Sequence, residues 1–126
     1  MGDIVKYNDV MKKIIDIRGR KAILDSDVAD LYDVETRDIN KSVKNNPRKF
    51  PDGYIVSLTG AEKAEVVEKF HHLEKLKFSP VLPNAFTRKG CYMLATILKG
   101  DRAIELNFAL MKFKHTVKRS KKSDKT

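Results

Sequence analysis

The chain has 126 residues, of which 41% are hydrophobic and 34% charged, with a formal net charge of +9 and a pI near 9.7. That length supports one domain with one core, and that mixture belongs to a globular chain rather than a disordered one. Cys91 is the only cysteine, no apolar run approaches the roughly 20 residues of a membrane span, and the N-terminus lacks a basic-then-apolar leader, so disulfides, thiolate metal clusters, membrane insertion and secretion are all excluded as expectations.

Residues 1–10 carry no strong pattern and read as a loose arm or a short helix. Ile14–Ile17 and residues 22–24 are β-rich and flank Arg18-Gly19-Arg20, which reads as a hairpin with glycine at the turn. Arg18, Arg20 and Lys21 make its tip basic, as phosphate contacts or as a solvated turn. Asp25 or Ser26 caps a helix whose apolar side is Val28, Ala29, Leu31 and Tyr32. Val34 follows. Thr36–Asn45 reads as a second helix with Ile39 and Val43 turned inward. Pro47 and Pro51 end it and bracket Phe50; residues 54–58 read as a strand. Thr59 and Glu62 form a capping box that opens a helix with a buried stripe of Val66, Phe70 and Leu73.

Residues 79–83 are a loop, residues 84–86 a short strand, and Thr87 caps an apolar helix, Arg88–Leu98. Gly100-Asp101 breaks that helix before a last one at 102–118. Leu106, Ala109, Leu110, Phe113 and Val117 share one of its faces, and Ile104, Phe108 and Met111 the other. A helix apolar on both sides is buried between layers or shared with a partner, so a homodimer through 102–118 is expected, with a central helix wrapped by its own fold as the alternative. The whole reads as one α+β domain over 1–118, mostly helical, with an N-terminal β-hairpin and a helix-turn-helix-like pair, followed by a basic disordered tail at 119–126.

The helix pair carries a charge reversal. From residue 22 to 35 the charged residues after the hairpin are acidic: Asp25, Asp27, Asp30, Asp33 and Glu35. From 36 to 49 they are Arg37, Lys41, Lys44, Arg48 and Lys49, against Asp38 alone. At about 100° per residue, Arg37, Asn40, Lys41 and Lys44 fall within about a third of the helix circumference, away from Ile39 and Val43. Arginine pairs with guanine, asparagine with adenine, and lysine neutralises phosphate, so this face suits a major groove. Thr36 sits at the start of the helix, and Asn45, Arg48 and Lys49 extend the polar surface. Ala29, Val34 and Ile39 recur five residues apart, as helix-turn-helix packing asks. Asp33 occupies the turn position that goes left-handed.

The run IRGRKAILDSDVADLYDVETRDINKSVKNNPRKFPDGYIVSLTGAE, followed by LPNAFTRKGCYMLATILKGDRAIELNFALMKF, resembles the KilA-N/Bro-N group of phage and bacterial DNA-binding domains. The closest branch is the one named for the N-terminal domain of a phage open-reading-frame-six product. The likeness spans about residues 11 to 113. It is carried by the IRG hairpin, the helix pair, the KFP turn, the strand ending in LT, and the LPNAFT opening of a helix. The resemblance implies duplex DNA binding without catalysis, in prophage-type regulators and sometimes antirepressors, with Thr36, Arg37, Asn40, Lys44 and Asn45 at the second-helix positions. Asp33 stands where that family usually has glycine, and Asn45 where a basic residue is usual. Arg88-Lys89 makes the Thr87-capped helix start more basic than is usual there.

Other chemistry is weakly supported. His71 and His72 are adjacent and cannot share one metal from one helix face, and His115 is remote. Cys91 sits beside Tyr92, Met93 and Leu94 and reads as core, as do Phe86 and Tyr92; Glu62, Glu65 and Glu68 read as a solvated face. There is no P-loop or dinucleotide turn. The expectation is a non-enzymatic, cytoplasmic, nucleoid-associated protein that binds double-stranded DNA through Thr36, Arg37, Asn40, Lys41, Lys44 and Asn45. Arg18, Arg20, Lys21, Arg48 and Lys49 would hold phosphates. No cofactor, metal, membrane or small-molecule substrate is expected. The alternative is an antirepressor that sequesters another regulator.

Overall fold

A computed structural model describes residues 7–98 and residue 105. The 102–118 helix, the dimer face assigned to it and the 119–126 tail lie outside the described residues, as do residues 1–6.

Helix α1 (Tyr7–Lys13) leads directly into strand β1 (Ile14–Ile17), so the expected arm is helical from Tyr7 onward. Strand β2 (Arg20–Leu24) pairs antiparallel with β1 across Arg18 and Gly19. Both connecting residues have positive φ (52° and 79°), which two-residue primed hairpin turns demand. Helices α2 (Asp25–Tyr32) and α3 (Thr36–Asn45) follow, then a 3-10 turn at Pro47–Lys49 and strand β3 (Ile55–Ser57). Helix α4 (Gly60–Lys69) gives way to a 3-10 segment, His71–Phe78, and then come strand β4 (Asn84–Thr87) and helix α5 (Arg88–Leu98).

The strands form one antiparallel sheet in the order β1-β2-β4-β3. Its register places Ile14, Ile23, Phe86 and Ile55 in one row across all four strands. That row faces α2, α3 and α5, where Ile23 and Phe86 join Val28, Leu31, Ile39 and Leu94. The opposite face presents Ile15, Ile17, Ala22, Leu24 and Ala85, covered by Val66 of α4 and Leu73 of the 71–78 segment. The single core expected from length is therefore two apolar clusters, one on each side of the sheet. The α+β class stands.

Several boundaries differ from the sequence reading. Neither Asp25 nor Ser26 caps α2 from outside: both lie within the helix, Leu24 holds the cap position, and the Asp25 carboxylate accepts from Ser26 N at 2.8 Å. The strand expected at 54–58 is three residues long, and the one expected at 84–86 extends to Thr87. Leu73 is buried as expected but lies beyond the end of α4, because extended backbone at Phe70 (φ −116°, ψ 107°) stops that helix. The capping box is present: Glu62 N donates to Thr59 Oγ1 at 3.2 Å and Thr59 N to Glu62 Oε1 at 2.9 Å. At the head of α5, Gly90 N donates to Thr87 Oγ1 at 3.3 Å.

Candidate nucleic-acid interface

Helix α3 is fixed from beneath. Ile39 is fully buried in the cluster shared with α2 and α5, and Val43 packs against its edge. The turn before it reverses at Asp33, in the left-handed conformation (φ 60°, ψ 46°), while Asp33 N and Val34 N donate to Asp30 O and Ala29 O. Aspartate tolerates this region better than most residues. The five-residue packing series holds only in part: Ala29 and Ile39 are buried, but Val34 is 38% exposed. Glu35, not Thr36, holds the N-cap position, and Asp38 Oδ2 accepts from Glu35 N at 3.3 Å. Thr36 is half-buried at the first helical position. At the other end, Asn46 Nδ2 donates to Ser42 O at 2.8 Å and closes the helix.

The outer face of α3 is cationic. Arg37, Lys41 and Lys44 are exposed, with Asn45 beside them, and Arg48 and Lys49 continue the exposed surface on the 47–49 turn. Arg37 lies 3.4 Å from Glu35 with both side chains largely in water, a pair worth little. The side chains of Lys41, Lys44, Arg48 and Lys49 have no hydrogen bond or ion pair among the described residues.

Asn40 departs from its expected role. It is half-buried, its Nδ2 donates to Asp25 Oδ2 at 3.0 Å, and its Oδ1 accepts from Asn84 Nδ2 at 3.4 Å. The same Asp25 oxygen accepts from Asn84 N at 3.4 Å, and Ser57 Oγ donates to Asn84 Oδ1 at 2.8 Å. A buried carboxylate needs donors on both oxygens. Asn40 supplies one, so its amide ties α3 to α2 and to the sheet and is not held free for a base. The sequence carried no spacing signal for this network.

The three hairpin cations separate. Arg18 is engaged: Nε and Nη2 each donate to Glu62 at 2.7 Å, and Nη2 also donates to Ser57 O at 3.0 Å. The guanidinium expected to meet phosphate is thus occupied within the chain, and Glu62, read as part of a solvated face, is its partner. The Arg18 fork, helped by the Thr59 backbone, holds the Glu62 carboxyl down to about 2. Lys21 lies 3.3 Å from Asp16 on the surface. Arg20 is exposed, and its guanidinium rests against Gly53, in the loop that follows the 47–49 turn. Of the three, Arg20 alone has no carboxylate partner among the described residues.

Asp27, one of the acidic residues of α2, is 2% exposed and is met by Lys13 Nζ at 3.6 Å and His72 Nε2 at 3.0 Å. His71 is exposed near Glu74. Cys91 is fully buried, and burial pushes its thiol up to about 12, which suits a packed side chain and not a nucleophile. No group of three His, Cys, Asp or Glu among the described residues is arranged to hold a metal. No helix among the described residues is long and apolar enough to cross a membrane.

An α+β domain with a basic helix raised on one sheet face is what the geometry defines. The ORF6N domain model matches residues 12–97, and the chain belongs to that family. Among curated proteins and among solved structures, none matches the chain.

Proposed function

We propose that the chain is a duplex DNA-binding domain of a prophage-type transcriptional regulator, with α2 and α3 acting as a helix-turn-helix and α3 entering the major groove. The observation that carries this reading is the outer face of α3: Arg37, Lys41 and Lys44 point away from a helix anchored by Ile39, and Lys41 and Lys44 are unneutralised among the described residues. In this reading Arg37 pairs with a guanine edge, Thr36 and Asn45 supply lesser polar contacts, and Lys41, Lys44, Arg48, Lys49 and Arg20 hold phosphates. Family membership supports a phage-type domain. The protein works as a binder and not a catalyst, in the cytoplasm and on the nucleoid. The sequestering alternative draws on the 102–118 helix, outside the described residues.

A gel-shift titration of salt against a selected duplex tests the proposal. Five phosphate contacts give a log–log slope of about −4 to −5, at about −0.9 each. Lys44→Ala should weaken all sequences alike and reduce the slope by about 0.9. Arg37→Ala should cost about 1–3 kcal/mol of discrimination at one base pair. Absence of any duplex shift at low salt would refute the proposal.

A further inference from the structure

Four cations gather where β2 begins and α5 starts. Ala22 of β2 pairs with Thr87 of β4, so Arg20 and Lys21 run on past the end of β4, beside the residues that open α5. Lys21 and Arg88 accordingly line one small recess over Phe86 and Cys91. Lys89 follows and is exposed, and Arg88 is half-buried. The Arg20 guanidinium rests against Gly53, and Gly53 O accepts from Thr87 Oγ1 at 2.7 Å, so one loop joins Arg20 to the head of α5. Asp16, 3.3 Å from Lys21, and Asp52, exposed beside Gly53, are the carboxylates of this region among the described residues, once Arg18 has taken up Glu62. Positive charge is therefore in excess. Arg20, Arg88 and Lys89 have no hydrogen bond or ion pair among the described residues.

The head of α5 lies in the same layer as the cationic helix. Cys91 and Leu94 of α5 share a core cluster with Ile39 of α3. Phe50, just after the 47–49 turn, stands edge-on to Phe86 with ring centres 6.3 Å apart. The chain thus leaves α3 through Arg48 and Lys49 and crosses this side of the sheet to reach Gly53. We propose that Arg88 and Lys89, together with Arg20, form a second phosphate-holding surface that grips the duplex backbone outside the segment met by α3. The inference rests on the duplex-binding reading and extends its contact. The side chains suit a backbone: an arginine fork spans two phosphate oxygens, and a lysine adds a point charge. Contacts of this kind set the position of a protein on the duplex and read no sequence. Arg88, half-buried along its stem, has less side-chain freedom to lose when it binds.

Gel-shift titration of salt with the full chain and a selected duplex of about four helical turns decides it. Arg88 and Lys89 add about −1.8 to a log–log slope that is otherwise about −4 to −5, so a slope near −6 is expected. Lys89→Ala should reduce it by about 0.9, and Lys89→Ala combined with Arg88→Gln by about 1.8. The hydroxyl-radical footprint of the double variant should be shorter than that of wild type. Lys89 is exposed, so its replacement should leave the thermal melt unchanged. Lys75→Ala removes an equally exposed charge from the 71–78 segment, which covers the other sheet face, and should leave slope and footprint as they are. A slope of about −4 to −5 that neither variant moves overturns this inference and leaves the duplex reading standing. So does a Lys75→Ala effect as large as that of Lys89→Ala. Absence of any duplex shift overturns both.

Discussion

Asn40 shows how a side chain of the right type and direction acquires another duty. Helical arithmetic places it at the shoulder of the cationic arc, which is also the edge nearest the buried Asp25 carboxylate. Asn40→Ala removes one donor from that carboxylate, and the expected cost is about 1–3 kcal/mol of unfolding free energy, read by urea denaturation. An unchanged midpoint would show that the bond is idle. Sequence periodicity gives the angle of a residue on its own helix but not what another element brings to meet it, which is why the exposure of Lys41 and Lys44 was legible while the partners of Asn40 and Arg18 were not. Arg18 has a further consequence in acid. Glu62 is held near 2, below its ordinary 4.5, so its contribution is fully present above about 4.5 and is lost as pH falls toward 2. Glu62→Gln should therefore flatten stability against pH in that window; a curve parallel to wild type would count against the fork. Tyr32 offers the opposite case. Burial pushes its phenol above the ordinary range, and its hydroxyl has no partner among the described residues. Tyr32→Phe should be neutral or stabilising by about 1 kcal/mol in thermal melts.

Capping was legible at some helix starts and not at others, since α2 and α3 are capped by Leu24 and Glu35. The Thr59–Glu62 box, the Thr87 cap and the left-handed Asp33 each act through a few neighbouring residues, so the chain order alone exposes them. The 71–78 segment was not legible, because Leu73 and Leu76 continue the apolar spacing of α4 while the backbone has already left the α-helix at Phe70. Strand lengths were also blurred, since residues flanking β3 are as apolar as those within it. Gly90 explains how α5 seats on the sheet. A Cβ there would stand 2.1 Å from Tyr54 O, the carbonyl that accepts from Thr87 N at 3.1 Å. The obstacle is backbone and cannot swing aside. Gly90→Ala should cost about 3 kcal/mol and lower the melting temperature markedly; a variant as stable as wild type would mean that α5 docks elsewhere.

At the level of the molecule, the sheet divides the protein into two unlike sides. One side bears α3 and its cations; the other bears α4, the 71–78 segment and the exposed Phe78 loop. The α+β class was readable from runs of local pattern. The strand order was not, because β2 pairs with β4 across some sixty residues and both faces of the strands are apolar, which erases the alternation that normally tells inside from outside. That double-sidedness also limits how the protein can be shortened. A version cut down to the cationic side by deleting residues 59–78 would strip the cover from Ile15, Ile17, Ala22 and Leu24, leaving oily, hydrogen-bond-ready ribbon open to water. Such a fragment should precipitate as fibres instead of persisting as a minimal reader.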